Sequence, residues 1–135
     1  MSMTPVPDWK QIREKAGPYP PQAYQFVREG LAHTVKMVHG DAEGLPTETE
    51  DDRRHISGQQ LCLGLKDYAQ RQYGLLARTV LSSWGVHKTE DFGRIVFAMV
   101  EAGWMRKQDQ DSIEDFENVF DFDDAFGTLR AGSAH

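Results

Sequence analysis

Along most of this chain, apolar residues recur at the three- and four-residue spacing that gives a helix one buried face. The first such stretch is short. Asp8 can cap a helix on which Trp9, Ile12 and Ala16 share a side, and Gly17-Pro18-Tyr19-Pro20-Pro21 must break it, because proline lacks an amide donor and pushes its predecessor out of the helical region. Over 22–38, Tyr24, Val27, Leu31, Val35 and Val38 keep helical spacing, and Gly40 supplies a stop. The pattern then lapses. Residues 41–54 show no period, include Gly44-Leu45-Pro46 and read as an exposed acidic loop.

The centre of the chain is the most regular part. Ser57-Gly58-Gln59-Gln60 has the form of a capping box, in which the serine oxygen accepts an amide three residues on and Gln60 reaches back. Leu61, Leu65, Tyr68 and Ala69 define the helix that follows, and Gly74 ends it. Leu76, Ala77, Val80, Leu81 and Trp84 make the next stripe, closed by Gly85. Thr89 stands where an N-cap belongs, with Glu90 and Asp91 complementing the positive end of the helix dipole. Phe92, Ile95, Val96, Met99 and Val100 then face inward, up to Gly103.

Beyond this point the signal weakens. Residues 104–108 suit a short strand and Asp109-Gln110-Asp111-Ser112 a turn, which together predict a hairpin. In 113–122, Ile113, Phe116, Val119 and Phe120 fit a helix, while Phe116, Phe120 and Phe122 share strand parity; the period alone does not decide. The expected fold is mainly helical with a small α+β character, five helices and a short C-terminal hairpin. Its helix, helix, turn, helix, hairpin order is also that of helix-turn-helix and winged-helix domains, so a winged-helix-like arrangement is one form it can take. The length of 135 residues suits one domain spanning the chain, with an ordered core over 8–126 and a flexible tail over 127–135.

Composition narrows the classes. A hydrophobic content of 39 % and an aromatic content of 10 % can fill a core, which excludes wholesale disorder. No apolar run approaches the roughly 20 residues of a membrane span, and the N-terminus lacks the basic-then-apolar pattern of a secretory signal. The single Cys62 excludes an internal disulfide and a multi-cysteine zinc site. These features predict a reduced, cytoplasmic protein with no membrane association.

The formal charge of −6 is unevenly placed. Residues 40–54 and 109–135 together carry −11, and the remainder of the chain carries +5. The outward residues of the helix from Thr89, which would be the recognition helix of a DNA-binding domain, include Glu90, Asp91, Arg94 and Glu101. Phosphate contacts supply most nucleic-acid affinity, so a surface of this sign disfavours nucleic acid.

Catalytic and metal chemistry find little support. His33, His39, His55, His87 and His135 include no pair at helical ligand spacing. Asp109 and Asp111 begin like a calcium loop, but Ile113, Glu114 and Phe120 stand where that loop wants an oxygen ligand, glycine and glutamate. Cys62 sits on a core stripe and reads as a buried structural thiol. No nucleophile elbow, phosphate loop or dinucleotide fingerprint occurs. No cofactor, catalytic residue or metal ligand is therefore assigned.

Several phrases also carry a likeness. They are Arg54-His55-Ile56-Ser57-Gly58-Gln59-Gln60-Leu61, Trp84-Gly85-Val86, Thr89-Glu90-Asp91-Phe92-Gly93-Arg94-Ile95-Val96-Phe97, Asp111-Ser112 with Asp115-Phe116, and Val119-Phe120-Asp121-Phe122. Over 19–126 the chain resembles a family of small planctomycete and verrucomicrobial proteins of unassigned activity. The resemblance implies a self-contained bacterial domain and carries over no site.

The reading that results is a non-enzymatic interaction or regulatory module with a protein partner. Its expected surface joins Arg54, His55 and Gln59, at the start of the capped helix, to Asp111, Asp115, Phe116, Asp121 and Phe122 of the acidic, aromatic segment. The other reading of that segment packs its apolar groups on the core and leaves the acids facing water. Charge would steer the encounter. The alternatives are a helix-turn-helix transcriptional regulator and a hydrolase or metal enzyme built from His55, His87 and the acids. Trp9, Tyr19 and Trp104 are candidates for a homo-oligomer face.

Overall fold

In the computed structural model, residues 1–3, 19–40 and 55–127 are described. The helix expected over 8–16, with Trp9, the loop 41–54 and the tail beyond Gly127 lie outside these residues. Helix α1 (Pro21–His39) begins with proline in its first turn, where the missing amide costs nothing, and ends at Gly40 with φ 65°. Helix α2 (Gly58–Tyr73) carries the expected capping box: the Gln60 amide donates to Ser57 Oγ at 3.1 Å, and the Ser57 amide to Gln60 Oε1 at 2.9 Å. A 3₁₀ turn (Gly74–Leu76) leads into helix α3 (Ala77–Ser83), and helix α4 (Thr89–Glu101) follows. The domain is mainly helical, as the pattern predicts.

The antiparallel α1–α2 pair is the base of the fold. Tyr24, Val27 and Leu31 of α1 and Leu61, Leu65 and Ala69 of α2 are buried, as their spacing requires. Val38 is 41 % exposed, so the apolar stripe of α1 stops short of the helix end. Phe26, which the spacing did not single out, is the hub of the aromatic core. Its ring lies 5.5 Å from Tyr68, 5.6 Å from Trp84 and 6.4 Å from Phe92, tying α1 to α2, to the end of α3 and to α4. On the outer side, Asp67 bridges the pair by accepting from Arg71 Nε at 2.6 Å and lying 2.7 Å from His33 Nε2. The Arg71 and His33 hydrogen bonds hold its carboxyl below the usual range.

Two expectations need correction. The cap of α4 is Lys88, and Thr89 is the first helical residue. The backbone amides of His87 and Lys88 are taken by Asp91 Oδ2, at 2.8 and 3.2 Å, so the helix start is satisfied from inside the first turn. The second concerns the hairpin. A strand, β2 (Met105–Arg106), is present, but it pairs antiparallel with β1 (Ser2–Met3), with Ser2 opposite Arg106 and Met3 opposite Met105. Where the second arm was expected, the chain forms a 3₁₀ turn (Ile113–Phe116) and then helix α5 (Phe122–Phe126). Among the described residues, no strand follows β2, so there is no wing beside α4. Neither spacing describes 113–122 as a whole: a 3₁₀ turn covers Ile113–Phe116, and the next helix starts only at Phe122.

Candidate interaction surface

The acidic segment is anchored by its aromatic side chains. Phe116 is fully buried, set edge-to-face on Phe97 with ring centroids 6.3 Å apart. It fits because two glycines make room. A Cβ on Gly58 would stand 2.9 Å from Phe116 Cε1, and one on Gly93 would stand 2.9 Å from Phe116 Cβ. Phe122 is also buried, 5.6 Å from Phe92 and 5.1 Å from Phe126, with the Arg78 guanidinium 5.4 Å above its ring. Phe116 and Phe122, expected on the partner-binding surface, are therefore core residues. Apolar area of that size gains more from burial than exposed docking contacts could return in the free protein.

With the rings turned inward, the carboxylates divide into two groups. One group is spent on the backbone. Asp111 is buried and accepts the Gln108 amide at 2.9 Å, Asp115 accepts the Ser112 amide at 3.0 Å, and Asp121 caps α5 by accepting the amides of Asp123 and Asp124 at 2.8 and 3.1 Å. The other group faces water. Asp109, Glu114, Glu117, Asp123 and Asp124 are exposed, and Ile113, next to Glu114 in the chain, is 42 % exposed. Asp123 pairs with Arg78 at 3.3 Å; among the described residues Asp109, Glu114, Glu117 and Asp124 form no ion pair.

The expected meeting of His55 with this segment occurs at Asp111. His55 Nε2 lies 3.7 Å from Asp111 Oδ1, and the amino group of Met1 lies 3.7 Å from Asp111 Oδ2. That amino group donates to the Ile56 carbonyl at 2.8 Å and stands 3.1 Å from His55 Nδ1. An ammonium only donates, so Nδ1 is the acceptor in that contact. His39 Nε2 donates to the His55 carbonyl at 2.6 Å, fastening the end of α1 to the same corner. Gln59 is exposed nearby on the first turn of α2, and Arg54 lies outside the described residues. His87 is exposed at the turn before α4, with its amide on Asp91, and does not join His55.

Sequence reasoning missed a second polar cluster, around Asp91. The Tyr19 hydroxyl donates to Asp91 Oδ1 at 2.6 Å, and Arg94 Nη1 donates to the same oxygen at 3.2 Å. Burial, reinforced by the hydrogen bond to Asp91, raises the Tyr19 hydroxyl to about 12. The only local signal was an acid at the third helical position; nothing in the proline-rich stretch pointed to Tyr19. Cys62 is buried in the core, and burial pushes its thiol up, away from the thiolate that a nucleophile needs. Tyr19 and Trp104 are buried within the single chain, which takes both out of the set proposed for an oligomer face.

Among the described residues, no three of the histidine, cysteine and acidic side chains converge as a metal site, and no helix is long and apolar enough to cross a membrane. No protein-family model matches the chain, and no curated protein or solved structure matches it either.

Proposed function

We propose that this protein is a non-enzymatic interaction module that docks a basic protein partner on the outer face of its acidic segment. The observation carrying the proposal is the separation of roles within 109–124. The aromatic rings fix the segment to the core, Asp111, Asp115 and Asp121 shape its backbone, and Asp109, Glu114, Glu117 and Asp124 are left in water, with Ile113 exposed in the same segment. Like charges carried on one short segment repel one another and cost stability in the free protein. A cationic partner relieves that repulsion, and the same field accelerates the encounter. The exposed isoleucine of that segment offers an apolar group for the contact.

The original surface is thereby narrowed. His55 and Asp111 support its geometry from below, while Gln59 and the exposed acids supply accessible groups. The test is cross-linking in cell extract at low and high salt, with the cross-links mapped by mass spectrometry. Cross-links should fall on 109–124, weaken with salt, and vanish for the combined variant Glu114→Gln, Glu117→Gln, Asp124→Asn. A control neutralising Glu29 and Glu101 should keep them. Cross-links insensitive to salt, or equally lost in the control, would refute the reading.

A further inference from the structure

We draw no further inference here: the strongest candidate, the Leu75–Leu76 pair at the corner between α2 and α3, is 74 % and 55 % exposed, but nothing in the structure shows what covers this apolar patch.

Discussion

The Thr89 hydroxyl donates to the Phe116 carbonyl at 2.6 Å and at the same time accepts the Val119 amide at 3.1 Å. One fully buried side chain at the start of α4 thus satisfies two backbone groups of the acidic segment. Replacing it with valine keeps the shape and removes both bonds. Each backbone group left buried without a partner costs about 1–3 kcal/mol. Two such groups would cost about 2–6 kcal/mol. The Val119 bond is only part-buried, so Thr89→Val should lose an amount in the lower half of that range in urea denaturation, and Thr89→Ser, which keeps the hydroxyl, should lose clearly less. Equal losses for the two variants would mean that the methyl group, not the hydroxyl, matters.

Phe116 makes a related prediction through Gly93. On helix propensity alone, Gly93→Ala would stabilise α4 by about 1 kcal/mol. The added Cβ, however, would stand 2.9 Å from Phe116 Cβ and 3.0 Å from its Cγ, atoms at the root of a fully buried side chain and not at a flexible end. Overpacking of this kind costs about 1–3 kcal/mol, so the net effect should be destabilising. In the background of Phe116→Ala, which removes Cγ and the ring and frees the residue to shift, the penalty should shrink or change sign, a coupling that a double-mutant cycle measures. Additive losses would place the cost elsewhere.

What could be read from the chain, and what could not, follows from how far apart the partners are. The Ser57–Gln60 capping box spans three residues, and its chemistry is complete within that window, so it was legible. Thr89 looked like a cap for the same local reason, but its hydroxyl is claimed by Phe116 and Val119, on a segment that local pattern does not connect to it. The strand at Met105–Arg106 was legible; its partner, at the opposite end of the chain, was not. For Phe116 and Phe122, which sit among acids, the local pattern is compatible with both a partner surface and the core. The burial of Phe116 depends on a socket built from Gly58 and Gly93, two glycines whose meaning appears only when α2 and α4 come together. His55 and Asp111 were each singled out, but their proximity is a product of the tertiary fold.

On the alkaline side, the Tyr19–Asp91 contact sets the expected behaviour. The folded state raises the Tyr19 hydroxyl from 10.0 to about 12, so folding favours its protonated form. Its contribution is complete below about pH 10 and is lost as the pH rises from about 10 to about 12. Tyr68 and Tyr73 are raised as well, chiefly by burial, so the comparison must isolate Tyr19. Tyr19→Phe should lower stability near neutral pH and show a shallower decline over that interval than the parent protein. Parallel stability curves would show that the hydroxyl has no role in the linkage.

At the acidic end, the corresponding group is Asp67. Its folded-state carboxyl lies below the ordinary 3.8, chiefly through the hydrogen bond from Arg71 and then that from His33. A depressed acid contributes stability above its unfolded value and loses it as the pH falls through the folded one. The α1–α2 bridge should therefore weaken below about pH 3.8. Asp67→Asn should be less stable than the parent at neutral pH, and the difference should close as the solution is acidified. A difference that stays constant down to low pH would show that the aspartate acts through shape, not charge.

The division of the acidic segment into backbone-shaping and solvent-facing carboxylates gives the sharpest comparison, because it sets acids of equal charge against each other. Asp121 accepts the amides of Asp123 and Asp124 at the start of α5, and loss of such a cap costs about 1 kcal/mol. Asp124 and Glu117 are exposed and form no ion pair among the described residues, and surface substitutions of that kind stay within about 0.5 kcal/mol. Asp121→Ala should thus lower the denaturation midpoint, while Asp124→Asn and Glu117→Gln leave it unchanged or raise it slightly by easing repulsion. For binding of a cationic partner the order should reverse: the two stability-neutral variants weaken the complex, and the salt dependence of the affinity falls with each charge removed. If Asp124→Asn and Glu117→Gln left affinity and salt dependence intact, the solvent-facing acids would have no part in docking.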